Sequence, residues 1–395
     1  MNNEISNKKI GKIGIIDADL LGVGNHRFPN LVCEKLSAYY KEKGYKVDLL
    51  LNYDNLNDYD EVYISKVFTD TPFPNNIKET NKIHLGGTGF YFDKAPNLPY
   101  EIEHHMPDYH LYDKWIENEV EKAEEKCNKE GKIFKKTSFM VQFKEYTDYS
   151  IGFMTRGCFR KCAFCVNQKY NKVELHSPLE EFYDPTRKKI CLLDDNVLGN
   201  PHWKEIWEEL QATGKPFKFK QGLDERLLTD EKCEVIFNSR YDGYFTFAFD
   251  NIEDYDLIEK KLKLIRKHTN TLKITFYVLV GFKSTDMQDI EDMFSRVLLL
   301  MKYRCLPYIM RYKGQYEHPW ETSEFRGMYI QMARWCNQPS LFRKKSFREF
   351  CELNQKTIKT KGKLSAPMKV LKEFEEKYPN ISQYFDIKWD DFSKN

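Results

Sequence analysis

The 395-residue chain contains no apolar run approaching the roughly 18 residues of a membrane-spanning helix. Its first twelve residues, MNNEISNKKIGK, hold no apolar signal core. Both absences lead us to expect a cytoplasmic protein with no membrane partner. Charge of one sign is not in excess either: 62 basic side chains face 60 acidic ones, for a net charge of +2. Nothing global therefore demands nucleic acid or an anionic surface. The chain has no internal repeat and no low-complexity linker. Cysteine is sparse, and seven of its ten positions stand singly, which is no framework for disulfides. In a reducing compartment a group of cysteines is better suited to metal. What the chain does have is a large apolar fraction, 41%, and 15% aromatic residues, enough for a packed globular enzyme of about two or three domains.

The pattern along the chain is α/β. KIGII at 12–16 is a short apolar run, and DADLLGVGNHRFPN reads as a loop that ends by entering a helix. The apolar spacing of LVCEKLSAYYKEK predicts a helix over 31–43, with Gly44 as its stop. YKVDLLLN, DEVYISKVF and KIHLGGTGF read as strands, the last ending in Gly86, Gly87 and Gly89. A charged helix is expected over 111–130. From about 148 six apolar strand candidates recur: YSIGFMT, KKICLLD, FKFKQGL, YFTFAFD, KITFYVLV and LPYIMRY. Helical stretches separate them from the second onward. A (β/α)6 partial TIM barrel is the simplest arrangement, and in such folds the chemistry lies at the carboxyl ends of the strands. The expected domains are 10–130, 148–315 and a C-terminal helical cap with a basic tail, 316–395. Ten Lys or Arg against two Glu between Arg343 and Lys372 make that tail basic. It reads as a solvated surface or as a nucleic-acid contact.

Three cysteines fall together in MTRGCFRKCAFCVNQ: Cys158, Cys162 and Cys165. A structural zinc site takes four ligands in a tetrahedron, and this loop supplies three. His176 and Cys191 are not spaced as a second knuckle. Each iron of an iron–sulfur cubane takes one outside ligand, so three thiolates leave one metal position open to a small molecule. Arg156, Arg160, Lys161, Lys169 and Lys172 surround the loop with positive charge, which favours thiolate.

The spacing Cys158-x3-Cys162-x2-Cys165, the aromatic Phe164 before the third cysteine and the lead-in TRGC resemble the radical S-adenosylmethionine (radical SAM) superfamily. The resemblance covers roughly 148–315. It implies a 4Fe–4S cluster on the three cysteines and SAM chelated to the fourth iron. Reductive cleavage of SAM would then release a 5′-deoxyadenosyl radical, fed by a reductant such as flavodoxin or ferredoxin. The protein's part would be to hold the cofactors and exclude water. It further implies that Asp194 and Asp195 in LLDDN receive the SAM ammonium, although the family's Gly-Gly-Glu form is absent. Arg226 would pair with the methionyl carboxylate, Asp250 with the ribose hydroxyls, and Gly281 would let the backbone pass close to the adenine. The N-terminal segment resembles the Rossmann-like, cobalamin-binding-type domain that precedes many such cores, on the strength of the GGTGF turn. The cobalt-ligating Asp-x-His-x-x-Gly is missing; Asp17, Asp19 and His26 stand at other spacings.

Simpler roles stand beside these. Asp194 and Asp195 are ordinary turn residues, Arg226 could pair with Glu225 or Asp230, and Asp250–Asn251 could cap a helix. Cys33, Cys191 and Cys233 lie on apolar faces and read as buried thiols. Cys305, Cys336 and Cys351, separated by 31 and 15 residues, form no compact auxiliary ligand set. His104, His105 and His110 gather near Asp108, but adjacent side chains point apart on regular backbone, so a cavity wall is expected there. Several reactions stay open: radical rearrangement or oxidation of a small molecule or peptide, cobalamin-dependent methylation, or modification of tRNA or other nucleic acid. Methylthiolation is disfavoured, because only Cys33 and Cys127 precede residue 158. A zinc- or cluster-stabilised binding module is the non-enzymatic alternative.

Overall fold

The structure is a computed structural model that describes residues 10–24, 26–314, 319–360 and 362–392. Lys361 of the basic tail and the polar residues 1–9 lie outside the described residues. The chain divides into two compact units. The first holds Met1–Lys161, Cys165–Asp194 and Lys215–Lys220; the second holds Cys162–Phe164, Asp195–Gly214 and Gln221–Asn395.

The first unit opens on strand β1, Lys12–Asp17, five of whose six residues are buried. Such a run suits the interior of a parallel sheet covered on both faces. β1 lies between β2, Lys46–Leu49, and β3, Glu61–Ser65, and β4, Ile83–Gly86, completes the sheet in the order β2-β1-β3-β4. All three pairings are parallel. The chain leaves β1 first to one side and then to the other, which puts the topological switch between β1 and β3. Asp17 ends β1 and caps a one-turn helix, α1, Ala18–Gly22, accepting from the amides of Asp19 and Leu20. Asn30 caps α2, Leu31–Glu42, and Gly44 follows its end, as expected. The charged helix is α3, Asp113–Lys129, buried along Trp115, Ile116 and Val120.

Beyond α3 the first unit carries a second parallel sheet, β5-β8-β9: Tyr149–Gly152, Lys189–Leu192 and Phe217–Phe219. Between β5 and β8 the chain makes an antiparallel hairpin of two-residue strands, β6, Thr155–Arg156, and β7, Glu174–Leu175. The cysteine loop is the excursion between them. Tyr109 joins the two halves of this unit. Its hydroxyl donates to the carbonyls of Phe182, 2.6 Å, and Ile151, 3.2 Å, and accepts from the Ile151 amide, 2.7 Å.

The second unit holds α4, Trp203–Ala212, and a third parallel sheet, β10-β11-β12: Phe245–Ala248, Ile274–Val280 and Leu306–Arg311. Helices α5, Asp230–Phe237, α6, Tyr255–His268, and α7, Met287–Lys302, alternate with these strands. α8, Arg326–Cys336, α9, Phe347–Lys356, and α10, Ala366–Lys377, form the C-terminal helical region. All six expected strands of 148–315 are present. They lie as two three-stranded parallel sheets, one in each unit. Among the described residues no helix is long and apolar enough to cross a membrane.

Candidate metal loop and strand-end site

The loop begins where Gly157 turns the chain with φ at +93°. A side chain there would sit 2.5 Å from the Lys172 carbonyl oxygen, so glycine is what lets the two legs of the hairpin pass. Cys158, Cys162 and Cys165 are all half-buried. The Arg160 amide donates to Cys158 Sγ at 3.3 Å and the Asn167 amide to Cys165 Sγ at 3.4 Å. Each of these two donors stands two residues beyond the sulfur it bonds. The Lys161 ammonium ties the loop to itself through the carbonyls of Gln168, 2.7 Å, and Tyr170. Within the second unit, Cys162 lies close enough to Arg226 to act on its charge. The donors are of the type and number that an open-cornered iron–sulfur centre takes. As the side chains stand, no three His, Cys, Asp or Glu among the described residues gather around one point, so the ligand set is not closed.

The other cysteines differ. Cys33, Cys191, Cys233, Cys305 and Cys351 have no exposed surface and Cys336 has 1%. Burial pushes the thiols of Cys233 and Cys305 up to about 11 and that of Cys351 up to about 12. Cys305, Cys336 and Cys351 are not gathered around one point. The histidines also part company as expected. His104 pairs with Glu181 at 2.8 Å, His110 with Asp113 at 2.8 Å, and His105 with Glu42. Sequence reasoning did not pair His176 with His104, yet their rings stack at 5.0 Å. Burial holds His176 down to about 4.

The expected SAM-contacting residues fall into two groups. In the second unit, Asp224 caps the turn after β9. It accepts from Arg226 Nε at 2.7 Å and from the Asn196 side chain at 3.2 Å. Arg226 is thus held through one edge by Asp224, with the expected Glu225 3.8 Å from the same nitrogen, and not by Asp230. Glu225, 2% exposed, accepts the Ala248 amide at 3.1 Å, and burial pushes its carboxyl up to about 8. Asp250 Oδ1 accepts the Leu279 amide at 3.1 Å, and burial raises its carboxyl to about 6. Asn251, rather than Asp250, makes the side-chain cap of the following turn. Phe164 meets Phe282 edge to face at 5.5 Å, and Phe282 meets Tyr312 at 4.7 Å, so Phe164 and the Gly281 turn are brought together. The space opened by Gly281 is taken by Trp320, whose Cβ would be 2.7 Å from an added one. Asp195 is half-buried. Asp194 stands apart: it is wholly buried in the first unit and its carboxylate accepts from the chain's own residues 154 and 155.

At the carboxyl edge of the N-terminal sheet the residues do not fit a corrin. Asp19, 1% exposed, accepts from the amides of Val67, 2.6 Å, and Phe68, 3.3 Å, and from the Thr71 hydroxyl. Segment 66–71 is thereby folded down beside the ends of β1 and β3. The glycine turn that resembles a cofactor cradle is filled by the same segment: a Cβ on Gly87 would lie 2.3 Å from the Lys66 carbonyl oxygen, and one on Gly89 2.8 Å from that of Phe68.

No protein-family model matches the chain, and no curated protein matches it in sequence. Among solved structures, one match is a radical enzyme. That structure is the cobalamin-dependent S-adenosylmethionine radical enzyme OxsB with aqua-cobalamin and S-adenosylmethionine bound, at a TM-score of 0.32 and 13% identity. The match covers 84% of this chain and 56% of that one, so the chain spans little more than half its length. At that TM-score the likeness assigns neither family nor activity to this chain.

Proposed function

We propose that the chain is a radical SAM enzyme. The observation that carries this reading is the Cys158-x3-Cys162-x2-Cys165 loop, which follows the first strand of the parallel β5-β8-β9 sheet. Amide donors to two of its sulfurs support it. Cys158, Cys162 and Cys165 would hold a 4Fe–4S cluster. Bound there, the cluster would supply the electron that cleaves SAM to methionine and a 5′-deoxyadenosyl radical. Phe164, Asp195, Arg226 and Asp250 would lie along the nucleotide in a partial barrel, while the close approach expected at Gly281 is taken by Trp320. The roles left to the protein are to orient the sulfonium and keep water from the radical. The substrate would be a small molecule or a peptide, and the reductant a flavodoxin or ferredoxin. Nucleic acid is kept as an alternative substrate by the TRGC entry to the loop and the basic tail.

The test is anaerobic reconstitution with iron and sulfide, followed by dithionite and SAM. We expect about four irons and four sulfides per chain, a reduced-cluster electron paramagnetic resonance (EPR) signal that SAM perturbs, and 5′-deoxyadenosine as product. Changing any one of the three cysteines to Ala should remove the product and the SAM-induced change. One zinc per chain with no sulfide would replace this reading by that of a metal-stabilised binding module.

A further inference from the structure

We propose that Asp194 is a positioning residue for the cysteine loop, one whose carboxylate replaces a rung of the β5–β8 ladder at the point where the loop must peel away. β5 and β8 run parallel and in register from Tyr149–Lys189 to Gly152–Leu192, and the last rung is the Leu193 amide to the Gly152 carbonyl at 2.9 Å. Beyond it the strands diverge, because the chain after Met154 turns into β6 and the cysteine excursion. Two amides, those of Met154 and Thr155, are thereby deprived of a backbone partner on β8. Asp194, the next residue but one after β8, takes both. Oδ1 accepts from the Thr155 amide at 2.6 Å and the Thr155 hydroxyl at 2.7 Å, and Oδ2 accepts from the Met154 amide at 3.2 Å. Asp194 and Thr155 both have 0% exposure.

The other leg of the excursion is pinned to the same place. The amides of His176 and Ser177 donate to the carbonyls of Met154, 2.9 Å, and Phe153, 3.3 Å. Residues 153–155 are therefore bonded on one side by Asp194 and on the other by the exit of the loop. Cys158 lies three residues beyond Thr155, across the Gly157 turn. A buried carboxylate holding two adjacent amides restricts the direction in which the first sulfur leaves the sheet. A neutral amide side chain cannot copy this, since it has one acceptor oxygen and its nitrogen would meet an N–H. Asp194, wholly buried on these three donors, is also closed to a cofactor's ammonium. The assignment rests on the loop being the cluster loop of the reading above.

The test compares the full chain with D194N and T155V. Amide hydrogen exchange on the metal-free proteins reads the clamp alone. We expect exchange at Met154 and Thr155 to speed up at least tenfold in D194N and roughly fivefold in T155V, which loses one of three donors. Reconstituted D194N should bind less than half the wild-type iron, and its reduced cluster should have altered EPR g-values. Unchanged exchange at 154 and 155 together with wild-type iron and g-values overturns the proposal. If D194N does not fold, T155V decides by the same exchange and EPR criteria. Wild-type protein that takes up no iron and sulfide defeats the cluster reading instead, and that outcome is separate because exchange is read without metal.

Discussion

Gly157 makes two demands at once: a backbone with φ at +93° and an empty space against the Lys172 carbonyl. Gly157→Ala would violate both. Strain of this kind costs about 1–3 kcal/mol before any overlap is counted. Urea unfolding should show a loss of at least that size, with reduced iron uptake; a change under about 0.5 kcal/mol would mean that the hairpin opens without penalty. Glu225 makes a different prediction. Its folded-state carboxyl, pushed up to about 8 by burial, keeps its proton at pH values where an unfolded glutamate has lost it. The native state then binds more protons than the unfolded one, so stability falls as pH rises. Asp17 and Asp250, raised to about 6, act below pH 6 and are opposed there by His176, held down to about 4. Between pH 6.5 and 8 Glu225 is left as the main contributor of these four, and its share of the loss should be about 2 kcal/mol, beside that of Glu34, whose carboxyl burial also raises. Glu225→Gln should make the profile shallower in that window; an equally steep profile would assign it to another group. The cysteines were legible in the sequence because they are neighbours in it. Asp194 was legible as a strand-end acid, but its partners stand 39 and 40 residues away, and no local pattern announces such a distant bond.

At the level of elements, periodicity carried most of the reading. The alternation of Ile274–Val280 and the apolar stripe of Met287–Lys302 are both where the sequence placed them. The two-residue strands of the loop hairpin were missed, because residues 174–175 are exposed and polar-flanked and no hydrophobic period can form over so short a span. Arg296 was missed for the opposite reason: in MQDIEDMFSRVLLLMK it looks like the polar break of an amphipathic helix. It is 2% exposed, and its Nη1 donates to the carbonyls of Phe249, 3.1 Å, Asp250, 3.1 Å, and Leu279, 2.8 Å. One guanidinium on α7 thus joins the carboxyl ends of β10 and β11, where Asp250 stands. Arg296→Met should cost about 3–5 kcal/mol, since it orphans carbonyls and leaves buried carboxylates uncompensated. Arg296→Lys should recover part of this, because an ammonium has donors but no planar fork. Urea unfolding orders the three proteins; equal stability of the Met variant and wild type would show that water replaces the guanidinium.

For the whole molecule the question is which cofactors it carries together. The N-terminal sheet ends in the glycine turn that prompted the comparison with cobalamin-binding-type domains, and that much was legible. What the sequence could not show is that Asp19, three residues beyond the end of the first apolar run, is used to draw segment 66–71 down beside the sheet's carboxyl edge. The bonds that do this join residues about fifty apart, and the same segment occupies the space of Gly87 and Gly89. Opening that edge for a flat macrocycle would break three hydrogen bonds to a buried carboxylate, each worth about 1.5–3 kcal/mol, with no histidine at the cobalt-ligating spacing to offset the loss. The full chain, purified and incubated with hydroxocobalamin, should therefore leave a gel-filtration column free of corrin absorbance, while the same preparation takes up iron and sulfide. Chain isolated from corrinoid-fed cells should likewise be brown rather than red. Stoichiometric corrin co-eluting with the protein would mean that segment 66–71 moves aside, and methylation would then become the leading reaction. A colourless protein in both experiments would remove the cluster reading together with the corrin.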